Sequence, residues 1–109
     1  MAREGERYMR MIVFFDLPTL TKSDRRNASR FRTFLIKDGY TMLQLSVYSR
    51  ICKGQDDVDK HAKRFKMLIS KSGSVRLLTV TEKQYASMEI IVGSLKKEEE
   101  IGDQQLVLL

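Results

Sequence analysis

The feature that most constrains the fold is the stretch that begins at Met11 and reads M-I-V-F-F-D-L-P. Its first five residues form an unbroken apolar run, partly β-branched and aromatic, which predicts a strand buried on both faces. Pro18 lacks a backbone N–H and disfavours helix at Leu17, so the strand ends there. Asp16 therefore lies at the carboxyl end of a central strand, where it is either a cap for the next loop or a functional group.

The length and charge of the chain limit the class of protein. The 109 residues predict one domain, with residues 1–7 as a loose leader and residues 96–103 as a charged linker to a terminal strand. The net charge of +6 favours an anionic partner, nucleic acid before an anionic membrane surface. The lone cysteine, Cys52, excludes an internal disulfide and a cysteine-built metal site. No signal peptide or membrane span is evident, so we expect a cytoplasmic protein without membrane contact.

The pattern after Pro18 predicts a helix, a strand and a second helix. Hydroxyls and an acid in the stretch 19–24 suit a helix N-cap, and the helical period continues to Asp38 before Gly39 ends it. Residues 40–52 predict one long strand, bent or divided into two short ones, on which Leu43, Leu45 and Val47 face one way. Residues 58–70 predict the second helix, with an inner stripe of Val58, Ala62, Phe65, Leu68 and Ile69.

The remainder of the chain predicts three further strands. They are residues 75–80, residues 88–92 and the terminal segment 104–109. Together these elements predict an α+β fold of the ferredoxin-like kind, with two helices on a largely antiparallel four-stranded sheet plus a C-terminal edge strand. Because four apolar residues at a free end are costly to leave in water, we expect the terminal strand to join a sheet edge, in this chain or a partner. Its residues are Leu106, Val107, Leu108 and Leu109.

Basic residues concentrate in the first helix. They form a positive ridge, with charges spaced along about four helical turns as successive phosphates would require. The second helix has a similar bias, and exposed aromatics for base stacking are not evident, so the pattern favours backbone contact without sequence readout. The alternative is an ordinary solvated helix face. The ridge consists of Lys22, Arg25, Arg26, Arg30, Arg32 and Lys37.

Catalytic residues are sparse in the sequence. His61 borders the apolar stripe of the second helix and is interpreted as a packing or surface residue rather than a general base. Cys52 is interpreted as buried and inert. Asp16 alone cannot hold Mg²⁺ firmly, but two copies facing each other across a twofold axis could share one ion, with substrate phosphate completing its ligands.

Three stretches in register resemble one known family. M-I-V-F-F-D-L-P, then L-Q-L-S-V-Y-S-R at residues 43–50, then S-V-R-L-L-T-V-T-E-K-Q-Y at residues 74–85, resemble CRISPR-associated protein Two, and most closely its type II-A form. The resemblance covers the chain from Tyr8 to Leu109. It implies a ferredoxin-like homodimer that bridges dimers of the CRISPR integrase subunit during spacer acquisition, with the duplex of the future spacer lying across it.

The same resemblance implies roles for individual residues. Members of the family are described as metal-dependent endonucleases on RNA or DNA, and the first-strand aspartate that holds their Mg²⁺ matches Asp16, here preceded by Phe15 in place of the usual tyrosine. Their backbone-binding arginines match Arg25 and Arg26. Their terminal strand extends onto the other subunit, which suits residues 106–109. Three functions follow as hypotheses: a DNA-bridging subunit, a Mg²⁺-dependent phosphodiesterase that uses paired Asp16, and a toxin-type ribonuclease of the same fold. A plain RNA-binding module ranks last.

Overall fold

The computed structural model of the chain describes residues 8–68 and 72–93. In order, the elements are β1 (Met9–Asp16), α1 (Lys22–Lys37), β2 (Thr41–Gln44), β3 (Val47–Cys52), α2 (Gln55–Leu68), β4 (Ser74–Thr81) and the short α3 (Glu82–Ala86). The four strands form one sheet in the order β2-β3-β1-β4, and every neighbouring pair is antiparallel. This β-α-β-β-α-β arrangement confirms the expected α+β, ferredoxin-like fold. The segments 1–7, 96–103 and 104–109, for which a leader, a linker and a terminal strand are expected, lie outside the described residues.

The stretch expected to be one long strand is a hairpin of two. β2 and β3 pair antiparallel from Gln44↔Val47 onward, and the two residues between them form the turn, with Ser46 at a φ of +62°. The expectation that Leu45 shares a face with Leu43 and Val47 is therefore wrong, because Leu45 lies at the turn and is 86% exposed. The chain reversal restarts the alternation, so that Tyr48 and Cys52 on β3 face the core.

The strand expected at residues 88–92 is absent from this part of the structure. α3 ends at Ala86, and the residues after it are non-helical and outside the sheet. Ile91 and Val92 are 83% and 92% exposed. The fourth strand of the sheet comes instead from the division of residues 40–52. An apolar segment with strand composition thus has no sheet partner among the described residues.

Both long helices cover one face of the sheet. Side chains of β1 that point to this face (Met11, Val13 and Phe15) pack with aromatic residues of α1 and α2. Phe15 meets Phe31 edge to face at 5.0 Å between ring centroids, and Phe31 lies 6.1 Å from Phe65. Such pairs stabilise a core beyond the area that they bury. The β1 strand and both helices are thereby fixed relative to one another.

The two helices begin and end largely as the sequence indicates. Thr21 caps α1 in a capping box with Asp24, and Gly39 follows the last turn with a φ of +89°. The inner stripe of α2 is confirmed at Val58 and Phe65, which are buried. Leu68 departs from it and is half exposed, because it lies in the last turn of the helix. Ile69 lies outside the described residues.

Candidate nucleic-acid interface and carboxylate site

Asp16 occupies the last position of the central strand. Its neighbour Phe15 points into the core, so Asp16 shares the opposite face of the sheet with Ile12 and Phe14. The residue is exposed, and its carboxylate makes no hydrogen bond or ion pair with any described residue. The cap of α1 is supplied by Thr21 instead. The loop-capping interpretation of Asp16 therefore receives no support from its contacts.

The backbone around Asp16 is held in place by the start of β4. Asp16 pairs with Ser74 in the β1–β4 ladder, and Gly73 precedes that pair with a φ of +85°. A Cβ atom at Gly73 would lie 2.5 Å from the carbonyl oxygen of Asp16 and 3.1 Å from Leu17. Only glycine permits this close approach together with a left-handed conformation. The carboxylate is thus presented from a fixed position at the sheet end.

The face of the sheet away from α1 and α2 is largely apolar. We call this surface the open face and define it by Ile12 and Phe14 of β1, Val47 of β3, and Leu78 of β4. Phe14 on the central strand β1 is 39% exposed, and Leu78 on the edge strand β4 is 49% exposed. Asp16 lies at the edge of this face. An exposed apolar sheet face of this kind is typical of an interaction surface.

The described residues do not complete a metal site by themselves. Among residues 8–68 and 72–93, no three histidine, cysteine, aspartate or glutamate side chains are grouped so that they could hold an ion. Asp16 offers one carboxylate, an oxygen donor of the kind that Mg²⁺ prefers. Two such carboxylates would require a second copy of the chain.

The cations of α1 form an exposed surface. All six basic residues of the ridge are exposed, and none has an acidic partner within ion-pair distance in the described part of the chain. Ala28, Phe31 and Leu35 bury the opposite side of the helix. The positive charges are therefore available to an anionic partner. We call the set Lys22, Arg25, Arg26, Arg30, Arg32 and Lys37 the α1 ridge.

Arg25 differs from the other members of the α1 ridge. Its Nη1 atom donates to the carbonyl oxygens of Thr19 and Leu20, at 3.1 Å each. This guanidinium therefore folds back onto the β1–α1 connection, and it shapes the loop between Asp16 and the helix. Arg26 and Arg30 make no such contact with the described part of the chain, which leaves them as the better candidates for phosphate.

Two basic residues of α2 form ion pairs with acidic residues. Arg64 forms an ion pair with Asp38, the C-cap residue of α1, and Lys60 lies 3.3 Å from Asp57. Lys63 and Lys66 are exposed and have no ion-pair partner among the described residues. The second helix therefore contributes fewer available charges than its composition indicates.

His61 links the two helices. Its Nδ1 lies 2.7 Å from Oδ2 of Asp38, and its Nε2 lies 3.3 Å from Oδ1 of Asp57, without hydrogen-bond geometry. The ring is buried, so the interpretation of His61 as a packing residue agrees with its position. Burial acts to raise the pKa of Asp57, but the backbone N–H of Lys53, together with Lys60 and His61, outweighs it and holds that pKa below the ordinary value.

Cys52 is almost completely buried in the core, as expected. Burial, followed by the charge of Asp57, raises the pKa of its thiol above the ordinary value. A protonated, enclosed thiol is a poor nucleophile. Nucleophilic chemistry at Cys52 has no structural support.

Several contacts between distant residues are not evident from the sequence pattern. The sequence gives no sign that Arg10 on β1 is buried against Glu82, or that Asp38 joins α1 to α2. The open face could have been found from the alternation of β1, because Ile12 and Phe14 alternate with the core-facing Met11, Val13 and Phe15. That signal was concealed by the continuous apolar run, which indicates burial on both faces.

Comparisons with known proteins identify a family and agree with this fold. A family model described as CRISPR associated protein Cas2 matches residues 9–88. A protein of Acidovorax ebreus called CRISPR-associated endoribonuclease Cas2 is 52% identical over 92% of this chain and 99% of its own length. A protein of the same name from Treponema denticola is 48% identical over 93% of this chain and 100% of its own length.

A solved structure described as a crystal structure of Cas2 superimposes with a TM-score of 0.58. It is 19% identical and covers 83% of this chain and 91% of its own. At that identity the likeness bears on the fold alone. Separately, none of the helices in the described part of the chain is long and apolar enough to cross a membrane.

Proposed function

Because this chain belongs to the Cas2 family of CRISPR-associated proteins, and so to CRISPR defence, we propose that it is a homodimeric, DNA-bridging subunit of the spacer-acquisition complex. In this role two copies meet about a twofold axis, bind the backbone of a duplex and join dimers of the CRISPR integrase subunit. The observation that carries the proposal is the α1 ridge, a row of exposed cations without acidic partners among residues 8–68 and 72–93.

The ridge suits a duplex rather than a small anion. Lys22 and Lys37 lie at opposite ends of a 16-residue helix, which is about 24 Å long. Duplex DNA carries about one negative charge per 1.7 Å of its axis, so several phosphates come within reach of such a helix. Contacts of this type position a duplex without reading its sequence.

The dimer is supported by the open face and by the segment after α3. Stacking two open faces would remove Phe14 and Leu78 from water. The outer edge of β4 has no strand partner among the described residues, and the exposed segment 88–92 has the composition of a strand. If two copies exchanged this segment, each segment would pair with the open edge of β4 in the other copy. Asp16 lies at the edge of the same face, so a twofold axis through the face would bring two carboxylates together.

The test of DNA binding reverses charge on the α1 ridge. The double variant Arg26→Glu, Arg30→Glu should weaken duplex binding by about tenfold or more in low salt and should abolish spacer acquisition in cells, because phosphate contacts become repulsive. Fluorescence anisotropy with a labelled duplex measures the affinity. Lys53→Glu with Lys83→Glu is the matched control, since it changes the net charge equally at two exposed positions away from α1. Equal losses in both variants, or none in either, would rule out the ridge.

A second candidate is a Mg²⁺-dependent phosphodiesterase, favoured by the exposed and uncommitted carboxylate of Asp16 and by the word endoribonuclease in the names of the relatives. Asp16 of each copy would hold the ion, which when bound would activate water and neutralise charge on the phosphate. Each chain would contribute one of the two Asp16 carboxylates.

Asp16→Asn separates the two candidates. The amide keeps the shape of the side chain and removes its charge, so cleavage of RNA or DNA should be lost while dimer mass and duplex affinity stay unchanged. Spacer acquisition that survives this change favours the bridging role, whereas its loss together with cleavage favours the phosphodiesterase. Growth arrest on expression, in the absence of neighbouring CRISPR genes, would favour a toxin-type ribonuclease instead.

A further inference from the structure

Arg76 of β4 lies on the open face of the sheet, beside Asp16. In the β1–β4 ladder Asp16 pairs with Ser74, and Phe14 pairs with Arg76. Residues that pair in a ladder point to the same side of the sheet, so Arg76 shares the open face with Phe14 and Asp16. Asp16 and Arg76 are diagonal neighbours, about 7–8 Å apart, a separation that long side chains can span. A carboxylate and a guanidinium are therefore placed side by side.

The guanidinium of Arg76 has no partner in the described part of the chain. The residue is exposed, and its side chain makes no hydrogen bond or ion pair with any described residue. The carboxylate of Asp16 makes none either. Arg10 also points to this side of the sheet, but it is buried in its ion pair with Glu82. Arg76 is therefore the one cation that the described strands leave available on the open face.

Regular backbone fixes the positions of these two side chains. The β1–β4 ladder continues without a shift in register from Met9↔Thr81 to Asp16↔Ser74, so Arg76 lies within its regular part. The main chain of Asp16 is also held by Gly73, where a Cβ atom would lie 2.5 Å from the carbonyl oxygen of Asp16. Sites built on strands are more rigid than sites built on loops. The pair is thus a fixed feature of this end of the sheet.

We propose that Arg76 is a phosphate-binding residue of the Asp16 site, and that it holds the phosphodiester group of a nucleic acid beside that carboxylate. The proposal rests on the phosphodiesterase named above as the second candidate function. In that candidate Asp16 is reserved for the metal ion, and a carboxylate alone repels an anionic substrate. The guanidinium of arginine offers paired N–H donors that match two phosphate oxygens, and it stays charged throughout the physiological pH range.

The phosphate contact of Arg76 is separate from the α1 ridge. Because α1 covers the opposite face of the sheet, a duplex that lies along the ridge does not have to meet Arg76. In the proposed dimer, the twofold axis through the open face would bring a second Arg76 together with the second Asp16. Two guanidinium groups would then flank the two carboxylates, and a phosphate near the axis would have a cation within reach. Loss of Arg76 should therefore affect the carboxylate site and leave the ridge unchanged.

Phosphate binding is tested by NMR on the full-length protein with isotopically labelled arginine. The Nε–H signal of Arg76, assigned by its loss in Arg76→Lys, should shift and saturate when a ten-nucleotide RNA or DNA is added in EDTA, which prevents metal-dependent cleavage. The signal of Arg64 is the control and should stay in place, because Asp38 already engages this residue. An Arg76 signal that moves in Asp16→Asn and not with either oligonucleotide would show an ion pair with Asp16 instead. That result, or a signal that never moves, would overturn the proposal.

Cleavage kinetics give a second readout. Arg76→Gln should raise the KM for the cleaved nucleic acid by about tenfold or more, because a charge-assisted hydrogen bond to the substrate is lost, and Arg76→Lys should recover part of that loss. Lys53→Gln is the matched control, since it removes one charge at an exposed position outside the sheet. Dimer mass and duplex affinity should be unchanged in all three variants.

The outcomes separate this inference from the proposed function. A KM for Arg76→Gln equal to that of the wild type would refute the role of Arg76 in substrate binding. If the wild type cleaves neither RNA nor DNA, the phosphodiesterase candidate fails, and the NMR titration still decides whether Arg76 binds phosphate.

Discussion

Arg10 of β1 and Glu82 of α3 form a two-pronged ion pair on the face of the sheet opposite α1 and α2. Nε of Arg10 lies 3.1 Å from Oε2 of Glu82, and Nη2 lies 2.5 Å from Oε1, with the side chains only 5% and 9% exposed. The guanidinium also lies 4.2 Å from the ring centroid of Tyr85. This ion pair holds α3 against β1 and thereby fixes the position from which residues 87–93 continue.

Glu82→Gln should destabilise the protein by about 3 kcal/mol, because the Arg10 guanidinium stays buried without a carboxylate to balance it. Urea unfolding followed by circular dichroism measures the change in the free energy of unfolding. Glu89→Gln is the control, since Glu89 is exposed, and should change it by less than about 0.5 kcal/mol. Equal stability of the two variants would show that the buried pair contributes nothing.

Asp57 should contribute stability that depends on pH. Its pKa in the folded protein is below the ordinary value of 3.8, so the folded state binds that proton less readily than the unfolded chain. The contribution is fully present above the unfolded value and is lost as the pH falls through the folded pKa. The difference in free energy of unfolding between wild type and Asp57→Asn should therefore shrink from pH 6 to pH 2.5.

The same titration offers an internal check. Lys60→Gln removes one of the groups that lower the pKa of Asp57, so in that background the difference made by Asp57→Asn at pH 6 should be smaller. If the difference in free energy of unfolding made by Asp57→Asn stays constant with pH, Asp57 does not have a lowered pKa in the folded protein.

Arg26→Gln should reduce the salt dependence of duplex binding. If Arg26 contacts one phosphate, the slope of log K against log salt should become less steep by about 1. Arg25→Gln should instead disturb the β1–α1 connection, because its guanidinium holds the carbonyls of Thr19 and Leu20. Anisotropy titrations at several salt concentrations give the slopes. An unchanged slope for Arg26→Gln would remove this residue from the interface.

Leu78→Asp should convert the proposed dimer to a monomer. A carboxylate at this position of the open face would be buried without a partner on association, at a cost of several kcal/mol. Light scattering coupled to size exclusion measures the mass. Leu20→Asp places the same charge at an exposed site away from that face and should leave the mass unchanged. A wild-type protein that is monomeric at all concentrations would refute the dimer itself.

Local patterns of the sequence predict most of the elements and miss the hairpin. The capping residues around Thr21, the turn at Gly39 and the apolar stripe of α2 depend on neighbours within a few positions, and these predictions agree with the structure. The reversal at Leu45 and Ser46 has no glycine or proline to mark it, so periodicity alone continues the strand through it. The strand expected at residues 88–92 fails for a different reason: its composition suits a strand, but these residues lie outside the four-stranded sheet that the described residues form.

What the sequence alone determined is the α+β class with two long helices, the position of Asp16 at a strand end and the concentration of cations on the first helix, because each is a property of residues close together in the chain. Only the tertiary structure decided which of those charges remain available. Asp38 engages Arg64 and His61 across 26 and 23 positions, and Glu82 engages Arg10 across 72. Contacts between residues so far apart depend on how the strands order themselves in the sheet, and no local spacing encodes that order.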